Sequence, residues 1–422
     1  MKIFALIMFI LMYVFMIAKP KFRPLYALAV ALVFLVSGVL PLDRVWSTIN
    51  WNVLLMIAGT MIIVYFFIDS RMPNLLADTL LGKAGSVMWV TILMSLFAGV
   101  ISAFIDNVAT VLMVAPVGLA ICKKLKKNPT GMILSIAVAS NLQGAATLVG
   151  DTTSIMLGDY AGMNFVNFFW MNGRPGIFFA VELGALATIP VMIFLFRKDT
   201  ASIASTERTV VSSYVPAVML LLMVTSLITA SFIPDAPEMI NGIICCVLAV
   251  LTIILNLFTE KNGAKTIAAI RNIDFETLGL LMGLFVVIGG LTNVGIIDDF
   301  AKLIVEFGGN DIFLLYTIVV WGSVLISALV DNIPYVATML PVITAVSAAL
   351  GMEPYLLYFG LLSGATLGGN ITPIGASANI AAVGLLRKEG YQVSFKEFMR
   401  IGIPYTLTAV MAGYLFFWFV WG

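Results

Sequence analysis

The 422-residue sequence predicts an all-α polytopic membrane protein, and three observations carry that prediction. Apolar residues make up 61% of the chain and charged residues only 11%, against about 25% charged in soluble domains. Several apolar runs extend for 16 to 21 residues without an ionisable group, the length that crosses a bilayer. A seven-residue motif also returns half a chain later. It predicts two inverted-topology repeats, each of five transmembrane helices and one re-entrant hairpin, about ten crossings and two hairpins in all.

Taken in order, the apolar runs of the first half are 3–18, 25–40, 53–68, 85–105, 108–121, 131–149 and 176–196. Those of the second half are 214–232, 239–258, 277–294, 312–330, 333–350, 355–368 and 402–421. This divides the chain into a first repeat over 1–200, a linker over 201–213 on the cytoplasmic side, and a second repeat over 214–422. No small-x-small cleavage site follows the first run, so it reads as a retained span rather than a signal peptide. Lys19, Lys21 and Arg23 after it outweigh Lys2 before it, which places the N-terminus outside.

The whole basic complement tests that orientation. Of the 23 Lys and Arg, 19 fall on one side of the resulting topology, and only Lys2, Arg44, Arg174 and Lys302 fall on the other. The richer side is expected to be cytoplasmic, with both termini outside, in a prokaryotic inner membrane. The runs 85–105 and 108–121 leave this parity unchanged whether they are two crossings or a hairpin. The second arm has 14 residues, about 21 Å of helix against a ~30 Å core, and Asp106–Asn107 joins the arms. Polar groups there are costly in lipid unless a protein-lined cavity holds them, which favours the hairpin.

The repeat is explicit in the text. Ile101-Ser-Ala-Phe-Ile-Asp106-Asn107 returns as Ile326-Ser-Ala-Leu-Val-Asp331-Asn332, and Pro116-Val117 returns as Pro341-Val342, both 225 positions on. The segment 51–59 answers 275–283. Thr147-Leu-Val-Gly150-Asp151 echoes Thr366-Leu-Gly-Gly369-Asn370 at an offset of 219, which implies a small gap. With five crossings per half, an odd number, the second copy is inverted and its hairpin enters from outside. Inverted repeats with polar, broken segments are a recurrent transporter architecture.

Charges inside spans are functional hypotheses by default. Away from the span ends only carboxylates stand: Asp106, Asp331, Asp151 and, nearer the outer edge, Glu182. No Lys or Arg is expected among them, so the site suits a cation, a proton or a neutral hydroxylated solute. Asp106 and Asp331 can equally cap the helices that follow them, and Glu182 reads as a packing or snorkelling residue. After each hairpin comes an interrupted helix rich in Gly, amides and hydroxyls. In the first half it carries Asn141, Thr147, Gly150, Asp151, Thr153 and Ser154, and in the second Thr366, Gly369, Asn370, Thr372, Pro373, Ser377 and Asn379. Pro and paired Gly open the helix ladder, and the freed carbonyls join side-chain oxygens as hard ligands. Close helix packing by small residues explains the glycines but not the clustered amides. Na⁺ is therefore expected at Asp106, Asn107, Asp331 and Asn332.

These motifs resemble the ion transporter superfamily. The Ser-Ala-x-x-Asp-Asn…Pro-Val pair, Ala-Thr-Leu-Val-Gly-Asp and Gly-Gly-Asn-Ile-Thr-Pro-Ile-Gly-Ala-Ser-Ala-Asn are most similar to the branch holding arsenite permeases, NhaD-type sodium–proton antiporters and the melanosomal P protein. The citrate and dicarboxylate carriers are more distant, and the likeness covers nearly the whole chain. It implies two inverted repeats, elevator-like transport, a homodimer, and substrate and cation sites bordered by Asn107, Asn332, Thr153 and Asn379. Two departures stand out. Asp151-Thr152-Thr153-Ser154 replaces the Asp-Pro-Pro-Asn common in the P-protein branch, and Asp106-Asn107 and Asp331-Asn332 replace the Ser-Asn-Thr tips of the dicarboxylate carriers.

The functional expectation is a secondary carrier coupled to Na⁺ or H⁺, with no other cofactor. Its substrate would be a small inorganic or organic ion or a neutral oxyacid such as arsenite; the alternative is Na⁺/H⁺ antiport. A passive channel and an intramembrane aspartyl protease are remote rivals, the latter lacking Gly-x-Gly-Asp before Asp151. The chain has no histidine, which excludes imidazole relays, serine–histidine triads and His-based zinc sites. A net charge of +1 gives no reason to expect nucleic acid. Cys122, Cys245 and Cys246 form no disulfide framework and read as buried apolar residues.

Overall fold

The computed structural model describes residues 1–81, 85–201, 209–260, 263–309 and 311–422. Lys83, Arg208 and Lys261 of the charge count, and most of the 201–213 linker, lie outside the described residues. The first half runs α1 (Lys2–Ala18), α2 (Arg23–Val36), α3 (Val45–Thr48), α4 (Trp51–Asp69), α5 (Met72–Leu81), α6 (Val87–Ser102), α7 (Asn107–Lys124), α8 (Thr130–Gly144), α9 (Thr152–Tyr160) and α10 (Ile177–Phe196). The second runs α11 (Val215–Ala230), α12 (Ile240–Glu260), α13 (Gly263–Arg271), α14 (Phe275–Asn293), α15 (Ile296–Gly308), α16 (Ile312–Ser327), α17 (Asn332–Leu350), α18 (Tyr355–Gly368), α19 (Ser377–Lys388) and α20 (Phe395–Trp421).

The two series match element for element, and their helix starts are built alike. Asn50 and Asp274 cap α4 and α14, Ser86 and Asp311 cap α6 and α16, and Asp106 and Asp331 cap α7 and α17 through side-chain oxygens. Each supplies an acceptor for an N–H that the first turn leaves unpaired.

Seven described segments are individually long and apolar enough to cross a membrane, α7 and α17 among them. The second arm is thus longer than the 108–121 run: α7 has 18 residues because Asn107 opens it and Cys122, Lys123 and Lys124 continue it, about 27 Å of helix. Shortness does not identify the hairpin; its ends do. Val87 and Met88, at the start of α6, donate backbone N–H bonds to Ala201 and Asp199 just past the end of α10. Gly131, just beyond α7, packs on the ring of Phe196 at that same end of α10. Both arms therefore open at one level. In the second half, Phe313 of α16 lies 4.7 Å from Trp418, and Tyr355, just beyond α17, lies 6.0 Å from Trp421. Both ends of that hairpin sit at the end of α20.

α10 and α20 pack together antiparallel. The Arg174 guanidinium, before α10, lies over Trp421, and the Trp421 indole donates to the Pro175 carbonyl. The two hairpins consequently enter from opposite ends, as inversion requires.

The helices gather into two bodies. In the first, α4 packs along α12 and α2 along α14, so each half contributes to both pairs, with α1 and α11 alongside. In the second, α6–α8 and α16–α18 form the hairpins with their following helices, closed by α10 against α20. The broken segments are exchanged: α19 packs on α7 and α8, and α9 on α17 and α18. α5 and α15 join one body to the other. The run 131–149 ends early in this arrangement. α8 alone reaches about 22 Å, so the segment spans a ~30 Å core only together with α9.

Candidate functional site

Each hairpin tip meets a break in the helix that follows it, and the two breaks meet each other through amides. Asn107 Nδ2 donates to Asn141 Oδ1 at 2.8 Å. Asn141 Nδ2 in turn donates to the Thr366 carbonyl at 2.8 Å and to Asn370 Oδ1 at 3.1 Å, and Asn370 Nδ2 donates to the Val138 carbonyl at 3.0 Å. Thr153 Oγ1 sits 3.2 Å from Thr366 Oγ1 and donates to Asp151 Oδ2 at 2.8 Å. All of these residues are buried. Replacing Asn141 by Leu is expected to strand three partners and to cost about 3 kcal/mol. Thermal unfolding in detergent checks this, with Asn141→Gln as the milder comparison.

Several candidates turn out to hold backbone together. Thr147 Oγ1 donates to the Ala103 carbonyl, and Thr372 Oγ1 donates to the Ala328 carbonyl at 2.5 Å. Both donor and acceptor are 225 positions apart, so Thr147 is equivalent to Thr372 and not to Thr366. The repeat register therefore continues at 225 with no gap, which corrects the offset of 219. Gly150 and Gly375 are equivalent on the same footing, as are Gly144 and Gly369. Ser154 Oγ donates to the Gly144 carbonyl at 3.3 Å. Asn379 Nδ2 donates to the Gly369 and Thr372 carbonyls at 3.0 and 3.2 Å, while its buried Oδ1 has no partner among the described residues.

The two tip carboxylates, alike in sequence, stand in unlike surroundings. Asp106 Oδ1 accepts from the Val108 and Ala109 N–H groups at 3.0 and 3.1 Å. It lines a cavity of about 310 Å³ between α4 of the first body and α7 and α9 of the second. Asp151, Gly150 and Thr152 share the polar end of that cavity, Ile57, Val64, Leu112 and Met113 form apolar wall, and Tyr65, Asp69 and Asn272 stand at its mouth. Among the described residues no Lys or Arg lines it, although Lys265 pairs with Asp69 at the mouth at 2.9 Å.

Asp331 caps α17 through the Ile333 N–H at 3.2 Å and accepts from Ser377 Oγ at 3.1 Å. It also pairs with Arg23, whose Nη1 lies 2.8 Å from Asp331 Oδ2. The side chains are 14% and 3% exposed. This corrects the expectation that no Lys or Arg stands among the acids. Arg23 opens α2, in sequence a flanking charge, and its long stem lets the guanidinium reach inward. Asn332, beside it, is buried.

A further carboxylate carries no signal in the sequence. Asp159, in the last turn of α9, accepts from the amides of Asn50, the cap of α4, and Asn52 within it, linking the two bodies. Close by, a second cavity of about 550 Å³ opens at the opposite end of the same seam, lined by Arg44, Asn50, Tyr160, Thr292, Asn293 and Leu340. Glu182 stays in α10, away from the residues lining either cavity. Cys122 is buried against Met132 and touches neither.

With the site in place, comparison with known proteins is decisive for the family. The sequence pattern of the family described as citrate transporter matches residues 13–362 and 241–422. The chain belongs to the citrate transporter family. It is an integral membrane protein and a transporter of that family. An uncharacterized transporter of Mycobacterium tuberculosis is 29% identical to it, over 99% of this chain and 98% of its own. The human P protein is 26% identical over 88% of this chain, which spans about half of that longer protein. The crystal structure of the YdaH transporter of Alcanivorax borkumensis shares the fold of this citrate-transporter-family chain. The TM-score is 0.61 at 15% identity, covering 87% of this chain and 84% of the other.

Proposed function

We propose that the protein is a secondary active carrier coupled to Na⁺ or H⁺, in which the second body slides against the first and exposes its polar centre alternately to either side. One observation carries the reading: the 310 Å³ cavity opens in the seam between the bodies and ends on buried Asp151 and half-buried Asp106, with no Lys or Arg among its described lining residues. Such a site favours a cation, and the adjoining Thr152, Gly150 and the amide network supply further oxygens. A second cavity at the far end of the same seam suits access from the other side. The substrate class is a small inorganic or organic ion or a neutral oxyacid, carried with the coupling ion; Na⁺/H⁺ exchange is the second reading, favoured by the same acid pair. The basic end, by the charge count, faces the cytoplasm. The protein would work as a homodimer in an inner membrane.

The test is transport in proteoliposomes. A thermal-shift panel of Na⁺, Li⁺, arsenite, citrate, succinate and sulfate first identifies ligands that prefer the folded protein. Asp106→Asn and Asp151→Asn retain the shape of each site and remove its charge. Each is expected to lower gradient-driven uptake or exchange by at least about tenfold and to abolish the Na⁺-dependent thermal shift. Undiminished gradient-driven transport in the double variant would refute the assignment.

A further inference from the structure

Both hairpin tips lie toward the same end of the first body. Ile105, beside Asp106, packs in a small buried cluster with Val64 and Phe67 in the last turns of α4. Asp331 lies beside Arg23 at the start of α2, and a slot there is closed by Tyr13, Met16 and Ile17 of α1. The Tyr13 hydroxyl donates to the Pro334 carbonyl at 2.7 Å and lies 2.7 Å from Thr338 Oγ1. Lys19, Lys21, Arg23 and Arg71 mark this as the basic end. The second body therefore sits displaced toward the basic end, with the Asp106 cavity open there and Asp331 sealed.

We infer that Arg23 is a tethered cation for the second repeat: it fills the place at Asp331 that a free ion could take and latches the second body at the basic end. This rests on the sliding-body reading of the previous section. Asp331 needs a positive partner because it is 3% exposed, and an unpaired buried carboxylate is costly. The partner comes from the first body, so the pair exists only while the bodies are in this register.

Inversion makes the latch one-sided. Exchanging the roles of the halves brings Asp106, in place of Asp331, to the α11–α12 turn, in place of the α1–α2 turn. That turn reads Pro234-Asp235-Ala-Pro237-Glu238, so Asp106 would meet like charge and no Arg. One facing state is held by an ion pair, and the opposite state is not.

The experiment reads both ends of the seam in the full-length protein in proteoliposomes, in a background with Cys122, Cys245 and Cys246 changed to Ala. Leu112→Cys reports the basic-end cavity and Ala337→Cys the opposite one. Both are labelled with a membrane-impermeant thiol reagent applied from the side their cavity opens to. With Arg23→Gln, labelling at 112 is expected to fall and labelling at 337 to rise, each by about tenfold. Asp331→Asn is expected to produce the same pair of changes, and Arg23→Lys to restore much of the original pattern. General loosening would raise both rates, so opposite signs separate a latch from a merely structural contact.

If neither Arg23→Gln nor Asp331→Asn alters labelling, while replacing NaCl by choline chloride does so in the parent, the bodies move and Arg23 is not the latch. If labelling at both positions ignores the variants and the salt alike, the sliding-body reading falls with it. Equal changes of one sign in both variants also overturn the latch.

Discussion

Gly150→Ala and Gly375→Ala are each expected to abolish accumulation of folded protein. A Cβ at Gly150 would stand 2.6 Å from the Gly144 carbonyl oxygen, 2.6 Å from that of Ser102 and 2.9 Å from that of Ala103. At Gly375 it would meet the Gly369 and Ser327 carbonyl oxygens at 2.6 and 2.8 Å. All of these lie well inside ordinary contact distance. They are also backbone atoms, held by the crossing of hairpin tip and broken helix, so no rotamer change relieves them. Overpacking a core with flexible neighbours costs about 1–3 kcal/mol; against fixed carbonyls we expect about 3 kcal/mol or more. Gly322→Ala, in the middle of α16 with nothing within 4 Å of the added methyl, is the control. It is expected to be neutral or to stabilise by up to about 1 kcal/mol through helix propensity. Size-exclusion profiles and melting temperatures of the three variants decide the matter.

Those glycines also show what the sequence could and could not convey. Helix starts are local, so the caps at Asp106 and Asp331 and the breaks around Gly150 and Pro373 were readable from their own neighbourhoods. The register between the two breaks was not. Thr-Leu-Val-Gly-Asp and Thr-Leu-Gly-Gly-Asn match as text, yet it is Thr372, not Thr366, that makes the bond Thr147 makes. In segments built of small residues a slide of a few positions leaves the pattern intact, and only the carbonyl each hydroxyl reaches distinguishes the alternatives. Arg23 and Asp159 were missed for a different reason. Both stand at helix ends, where a charge ordinarily meets solvent, and their partners are remote in sequence: Asp331 for one, Asn50 and Asn52 for the other. Charge counting assigns a side of the membrane; it does not say which flanking charge turns inward.

The asymmetry between the repeats makes a sharp prediction for stability. Asp331→Asn keeps an N-cap residue at the start of α17 and removes only the charge, because Asn caps helices as well as Asp does. It leaves Arg23, 14% exposed, beside a neutral amide. Breaking a buried pair by removing one partner costs about 3–5 kcal/mol; partial exposure of the guanidinium puts the expected loss at about 3 kcal/mol. Asp106→Asn makes the identical chemical change at the equivalent cap but strands no paired cation, since its carboxylate faces a cavity with no Lys or Arg among its described lining residues. Its expected cost is under about 1 kcal/mol. Arg23→Met combined with Asp331→Asn removes both charges and is expected to recover most of the loss, a coupling of about 2 kcal/mol in the double-mutant cycle. Melting temperatures of the four proteins measured side by side test all three statements. Equal destabilisation by Asp106→Asn and Asp331→Asn would mean that the carboxylates stand in like surroundings and that the Arg23 pair contributes nothing to the fold.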